Sequence, residues 1–206
     1  MRNLVLSWSE KRRVATGMAL TLALVGTGCS VSMRHGPLDA PPRTYAGTVQ
    51  TRAKSEGIDG KVGWGRFTVF AIPVVPVYID GDGNEKIMEQ IHDALRRAGY
   101  TTTTAASTSA EAGPVLTCSV KKFWFGNYTW LFPFVPTWGG VELNTSLVSP
   151  AGTVVWTRDF SGSGFSANFF DGYSGAAESS MTTILNAMVR EFASDDFHQA
   201  LNGAAS

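Results

Sequence analysis

The chain has 206 residues, of which 44% are hydrophobic and 17% charged, so it can bury a core and is too apolar for a disordered chain. Its formal net charge is zero, and 13 basic and 16 acidic residues remain once residues 1–28 are set aside. This balance excludes the strongly basic surface that nucleic-acid binding requires.

The first 28 residues have the three-part layout of a secretory signal peptide. Positive charges in residues 11–13 precede an uncharged, mostly apolar run at 14–25, and the small residues 26–28 precede Cys29. The apolar run is shorter than the roughly 20 residues that a permanent membrane-spanning helix needs. We therefore expect residues 1–28 to be removed rather than to remain as an anchor.

The residues VGTGCS around Cys29 resemble the lipobox of bacterial lipoproteins. The resemblance implies that Cys29 is acylated with palmitate-type chains and becomes the mature N-terminus, so that membrane lipid is a partner. Ser30 implies, in a Gram-negative cell, a lipid anchor in the outer membrane facing the periplasm. Each buried methylene contributes roughly 0.8 kcal/mol, so two or three acyl chains suffice for stable anchoring.

Composition divides the mature chain into two parts. Residues 29–61 are rich in Pro, Gly, Ser and charged side chains, which predicts a lipidated N-terminus followed by a flexible tether. Residues 62–206 are predicted to form a single α+β periplasmic domain.

The first predicted strand of this domain lies in residues 66–79, which are β-branched and aromatic. Pro73 and Pro76 lack the amide that a sheet ladder requires. The regular strand should therefore end near Ile72 or lie at a sheet edge.

A helix is predicted to begin after Asp82. Glu85 lies three residues further on, as in a capping box, and Gly99 is a suitable C-terminal cap. The apolar residues between them recur with helical spacing: Ile87, Ile91, Ala94, Leu95 and Ala98.

Three more strands are predicted at 114–125, 140–148 and 153–160. Residues 149–152 (SPAG) predict a hairpin turn between the last two strands. Residues 101–113 are polar and small, which indicates a loop or a short edge strand.

The C-terminal part begins with a predicted Gly- and Ser-rich loop at 161–175. A long amphipathic helix follows, with one apolar stripe formed by Met181, Ile184, Leu185, Met188, Val189 and Phe192. A last turn is predicted at 195–201, with Ser194 as its N-cap.

The order strand, helix, three strands, helix predicts an α+β fold, in which a small mixed or antiparallel sheet carries two helices on one face. The helix end DALRRAGY and the strand GTVVW are similar in layout to small envelope lipoprotein families, including the auxiliary lipoproteins of lipid-transport complexes.

Residues that could perform catalysis are few. His35, His92 and His198 are scattered, and the zinc spacings HExxH and CxxC are absent from the sequence. Asp82 in DGDGN fits a helix cap better than a calcium loop, and Cys118 lies in an apolar run typical of a buried core residue. We therefore expect a protein that is not an enzyme and holds no metal or cofactor.

The most unusual segment is 123–141, which has no aspartate, glutamate, lysine or arginine and is dense in aromatic residues. Its aromatics could fill the core, or they could form an apolar surface that meets a partner or a membrane interface. The candidate binding surface consists of Trp124, Tyr128, Trp130, Phe132, Phe134 and Trp138.

The sequence thus predicts a membrane-anchored lipoprotein that acts by binding, as an accessory or structural component of an envelope assembly with an envelope protein as partner. The alternative is a carrier of lipid or another hydrophobic ligand.

Overall fold

The computed structural model describes the following residues: 29–53, 61–67, 72–104, 113–128, 136–167 and 172–204. Within them the elements, in chain order, are β1 (Cys29–Val31), β2 (Gly47–Ala53), β3 (Lys61–Phe67), β4 (Ile72–Ile79), α1 (Gly83–Arg97), β5 (Tyr100–Thr104), β6 (Val115–Tyr128), β7 (Thr137–Val148), β8 (Val154–Ser166), α2 (Gly172–Phe192) and α3 (Asp195–Ala204). The predicted α+β class is confirmed, but the described residues contain more strands than predicted. The predicted last turn at 195–201 is part of a third helix, α3, and Ser194 caps it by accepting a hydrogen bond from the Phe197 amide.

All eight strands form one mixed sheet. Successive hydrogen-bonded neighbours follow the path β1-β4-β3-β6-β2-β5, in which β3 and β2 share one edge of β6. Strand β7 pairs with the opposite edge of β6, and β8 pairs with β7. Strand β6 is long enough to pair with β2 along its first part and with β3 along its last part. Strands β6, β7 and β8 form an antiparallel meander.

The three helices lie on one face of this sheet, called here the covered face. Thr51 pairs with Leu116, Leu116 with Leu147, and Leu147 with Trp156, so these residues share that face. The Trp156 ring lies 4.9 Å from the ring of Phe197, which belongs to α3. The opposite surface of β6, β7 and β8 is called the outer face.

Helix α1 confirms the predicted caps. The side chain of Asp82 accepts hydrogen bonds from the backbone amides of Asn84 and Glu85, which would otherwise lack partners. The helix ends at Arg97, and Gly99 has a φ of +103°, a left-handed conformation that glycine adopts without strain.

The predicted flexible tether is partly incorporated into the fold. Residues 33–39, called here the strap, run along the helices. The Gly36 amide donates to Thr182 Oγ1 at 2.7 Å, and the Asp39 amide donates to Asn186 Oδ1 at 2.8 Å. The strap is therefore fixed to α2.

Strands β1 and β2 also lie within the predicted tether at 29–61. Strand β1 pairs in parallel with β4, with Cys29 opposite Val77, and Val31 is fully buried. Composition did not reveal this strand because its partner lies far along the chain. The first residues after the lipobox are thus part of the sheet.

The predicted strand at 66–79 falls in two strands, because β3 ends at Phe67 and β4 begins at Ile72. Of the two predicted outcomes, an end of the strand near Ile72 is wrong, whereas a position at a sheet edge agrees with the pairing of β4. Pro73 and Pro76 lie within β4, opposite β3. Strand β1 pairs only with Val77 to Ile79, so the two prolines lie where β4 has a described partner on one side alone. A missing amide is tolerated at such a position.

The predicted loop at 161–175 is also wrong, because β8 continues to Ser166 and α2 begins at Gly172. Gly162 and Gly164 permit close approach of α2 to β8. A Cβ on Gly164 would lie 1.8 Å from the carbonyl oxygen of Ala176. These glycines serve helix–sheet packing rather than loop flexibility.

Candidate functional site

One end of the sheet contains the start of β1 and is called here the Cys29 end. At or near this level β1 and β7 begin and β6 and β8 end, whereas β3 and β4 continue past it to Phe67 and Ile72. A single row of paired residues crosses the sheet at this level: Cys29, Val77, Gly63, Phe125, Gly139 and Gly164. The candidate acylation site therefore lies level with the aromatic part of the meander.

Three large aromatic side chains are exposed on the outer face beside this row. Trp124 is 36% exposed, Trp138 is 41% exposed and Phe165 is 62% exposed. Trp138 pairs directly with Phe165 across the β7–β8 ladder. These three residues are called here the aromatic patch.

A β-bulge decides which aromatic residues are exposed. The pairing register of β6 shifts between Val120 and Lys122, which inserts one extra residue into the strand. Because side chains alternate between faces, the extra residue places Phe123 and Phe125 on the covered face and Trp124 on the outer face. Phe125 is fully buried, with its ring 5.4 Å from that of Phe123.

Glycines give the patch its flat shape. A Cβ on Gly126 would lie 2.8 Å from Cη2 of Trp124, so the absence of a side chain there makes room for the indole ring. Gly140 on the neighbouring strand pairs with Trp124. The patch borders an open groove of about 910 Å³ whose lining includes Ser163.

The middle of the outer face of the meander is polar. Lys122 Nζ and Glu142 Oε1 are 3.0 Å apart at the border of the aromatic patch. Further from the Cys29 end, Asn144 Nδ2 donates to Asp159 Oδ1 at 2.7 Å. The outer face therefore changes from a hydrogen-bonded polar surface to an uncharged aromatic one as it approaches the Cys29 end.

The predicted binding residues divide into three groups. Trp124 and Trp138 are exposed and lie close together on the outer face. The backbone of Tyr128 ends β6, and its side chain is outside the described part of the structure. The remaining members of the predicted surface lie outside the described residues: Trp130, Phe132 and Phe134.

Sequence reasoning missed Phe165 because it lies in the segment SGSGF, whose glycines indicated a loop. The alternation of β8 would have identified it. If Gly162 and Gly164 face the helix, then Ser163 and Phe165 must face outward.

The two alternatives for segment 123–141 each hold for part of it, since its described aromatics are found both in the core and on the surface.

The histidines make structural contacts. His35 Nε2 lies 3.1 Å from a carboxylate oxygen of α1, and His92 Nε2 lies 2.5 Å from Thr51 Oγ1. The His198 ring stacks on Tyr45 with centroids 4.2 Å apart. The His92 ring is half-buried, and burial lowers its pKa.

Cys118 is only 3% exposed, and burial raises its pKa to about 12. Its thiol is therefore protonated near neutral pH. Over the described ranges, no three His, Cys, Asp or Glu side chains are grouped closely enough to hold a metal ion. Among the helices described here, none combines the length and apolarity needed to cross a bilayer.

Comparison with known proteins relates the chain to others by fold alone. No family model matches it, and no curated protein matches it. A Xanthomonas campestris protein of the family model DUF330 is similar in structure, with a TM-score of 0.54 and 16% identity. The match covers 84% of this chain and 98% of that one. The two proteins share the α+β fold.

Two other solved structures are less similar. One is a proposed lipoprotein from Caulobacter crescentus, with a TM-score of 0.35, 16% identity, and coverage of 69% of this chain and 90% of that one. The other is lipoprotein GNA1162 from Neisseria meningitidis, with a TM-score of 0.34, 15% identity, and coverage of 60% and 86%. At these TM-scores the likeness carries no conclusion about this chain.

Proposed function

We propose that this protein is a bacterial envelope lipoprotein, anchored through acyl chains on Cys29, that acts by binding rather than by catalysis. The observation that carries the proposal is the position of Cys29. It follows the charged and apolar leader in the sequence, within VGTGCS, and it is also the first residue of β1. Cleavage before Cys29 would therefore leave the described sheet and helices complete.

The anchor is sufficient on energetic grounds. A single acyl chain binds a membrane only marginally, whereas two or three chains bind it stably. With Ser30 after the cysteine, the resemblance favours the outer membrane, with the domain facing the periplasm. Membrane attachment in this account does not require a spanning helix.

Binding is favoured over catalysis by how the described titratable side chains are used. His35 and Asp93 join the strap to α1, Arg158 pairs with Glu191 of α2 at 2.9 Å, and Cys118 is buried in the core. The two ion pairs join elements that pack together, and the Cys118 thiol is part of the core. The exposed aromatic patch is the surface most suited to an interaction.

The anchor is tested by replacing Cys29 with serine in the full chain and expressing both forms in a Gram-negative host fed labelled palmitate. The wild type should incorporate label and remain in the membrane fraction after a high-salt wash. Cys29→Ser should incorporate none and lose that retention or its maturation. Cys118→Ser is the matched control, and it should behave like the wild type. Unchanged maturation and membrane retention in Cys29→Ser would refute the proposal.

The accessory or structural role is tested by capture from detergent-solubilised envelopes with the native, acylated protein as bait. We expect one envelope protein to be recovered repeatedly. Its recovery should fall when Trp124 and Trp138 are replaced by serine if it binds at the aromatic patch. Repeated capture without any protein partner would count against this role.

The second candidate function is a carrier of lipid or another hydrophobic ligand. The groove of about 910 Å³ beside Trp124, Trp138 and Phe165 is the observation that favours it. Mass spectrometry of lipids extracted from the purified protein tests this alternative. Stoichiometric lipid that is lost in a Trp138→Ser variant would favour the carrier, and its absence would favour the accessory role.

A further inference from the structure

We propose that the aromatic patch (Trp124, Trp138 and Phe165) contacts the interface of the same bilayer that holds the acyl chains, and so fixes the orientation of the domain. This inference rests on the proposed acylation of Cys29 and goes beyond it. An anchor alone would leave the domain free to rotate, whereas a second contact gives it a defined membrane-facing end.

The connection between the anchor and the sheet is short. Cys29 is itself paired with Val77, and Val31 is fully buried, so no flexible segment separates the acylated residue from the domain. The strap that follows is held by a 2.7 Å hydrogen bond between Gly36 and Thr182. The bilayer surface must therefore lie close to the start of β1.

The patch lies at the same level of the sheet as Cys29. The three patch residues are direct chain neighbours of the row of paired residues that contains Cys29, and strand β6 lies three strands away from β1. At about 4.8 Å per strand, that separation is roughly 14 Å, and β8 lies about 24 Å away. The start of β1 and the aromatic patch therefore lie at the same level along the strands, within reach of one membrane surface.

The chemistry of the patch residues suits a membrane interface. Tryptophan is enriched where membrane and water meet, because its ring has a large apolar area and one polar N–H group. Phenylalanine supplies apolar area at the same depth. The Lys122–Glu142 pair at the border of the patch suits the polar side of such an interface. The patch itself carries no charge, which favours a lipid surface over a partner recognised through charge.

The sequence that precedes Cys29 also favours the bilayer as the surface that the patch contacts. Residues 1–28 include the apolar run at 14–25 and join the described residues at Cys29. Before cleavage, that apolar run would place the membrane at this same end. Both the leader and the acyl anchor therefore favour the bilayer as the surface that the aromatic patch contacts.

The test uses the full chain matured in a Gram-negative host, in Phe165→Cys and Val154→Cys variants carrying an environment-sensitive fluorophore. Phe165 is 62% exposed at the Cys29 end of β8, and Val154 is 55% exposed at the other end of the same strand. Neither label enters the core, and native Cys118 is too buried to react. The labelled proteins are reconstituted into vesicles of phosphatidylethanolamine and phosphatidylglycerol, and flotation measures their attachment.

The expected result is a shift of emission to shorter wavelength, with quenching by bromine-labelled lipid, at position 165 and neither effect at position 154. Floating protein with no shift at position 165, or with equal shifts at both positions, would overturn the inference and leave the anchor intact. Protein that fails to float would overturn the anchor and this inference together. The three failures are thus distinguishable.

Discussion

On the covered face of the β6–β8 meander, Phe123 and Phe125 are buried against the core, whereas Trp124 and Trp138 are exposed on its outer face. All four side chains come from one hairpin and lie at the same end of the sheet. The different environments of Phe123, Trp124 and Phe125 follow from the bulge after Val120, which sets the alternation of β6. Aromatic density in a sequence therefore does not by itself distinguish a core from a binding surface.

The largest expected difference between the two faces is in thiol reactivity. Cys118 lies on the covered face, and burial raises its pKa from 9.0 to about 12. Near neutral pH its thiolate should be about a thousandfold rarer than that of an exposed cysteine. An aromatic disulfide reagent should therefore label the exposed thiol of Val154→Cys rapidly and Cys118 only on unfolding. Similar rates for Cys118 in native and urea-unfolded protein would contradict its burial.

Alanine substitution of the neighbouring residues Phe125 and Trp124 compares how much each face contributes to the free energy of unfolding. Phe125→Ala should lower the free energy of unfolding by about 3–5 kcal/mol, because it leaves a cavity in the core. Trp124→Ala should cost about 1 kcal/mol or less, because the ring is partly exposed and packs on Gly126. Urea unfolding measures both, and equal losses would show that the assignment of the two faces is wrong.

Alanine substitution of glycine tests how closely α2 approaches the covered face. Gly164→Ala should cost about 1–3 kcal/mol, because its Cβ would overlap the Ala176 carbonyl unless the helix moves. Gly203→Ala is the matched control, since a Cβ there meets nothing within 4 Å and the residue lies in α3. The control should lose no stability. A neutral Gly164→Ala would indicate a wider gap between α2 and β8.

The smallest expected effect concerns the contact between the strap and α1. Burial alone would raise the pKa of Asp93, but its hydrogen bonds with His35 and Arg96 outweigh this and lower the pKa below 3.8. The carboxylate therefore stabilises the fold above about pH 4 and loses this effect as pH falls through the lowered pKa. Asp93→Asn should cost less than about 1 kcal/mol at pH 7 because the pair is partly exposed.

Unfolding measured across pH checks this prediction. The difference between wild type and Asp93→Asn should shrink as the pH drops below 4. A difference that grows in acid would contradict the lowered pKa.

Local signals in the sequence predicted the locally stabilised parts of the fold. The Asp82 cap defined α1, and the SPAG turn at 149–152 defined the β7–β8 hairpin, where the Gly152 amide donates to the Ser149 carbonyl at 2.8 Å. Both depend on hydrogen bonds between residues close in sequence. Pattern reasoning is therefore sufficient for them.

The parts that escaped prediction depend on partners far along the chain. Strand β1 requires Val77, the strap requires Thr182, and Gly164 requires the helix at Ala176. The bulge at Val120 likewise depends on the register with β7. The candidate surface could thus be predicted as a segment, while its division into buried and exposed members could not.

The mass of the mature protein decides whether acyl chains on Cys29 hold the domain at a membrane. The full chain is expressed in a Gram-negative host, purified from membranes in detergent, and its N-terminal peptide is measured by mass spectrometry. The account predicts a peptide that begins at Cys29 and carries the added mass of two or three acyl chains. A mature N-terminus elsewhere, or an unmodified Cys29, would contradict it.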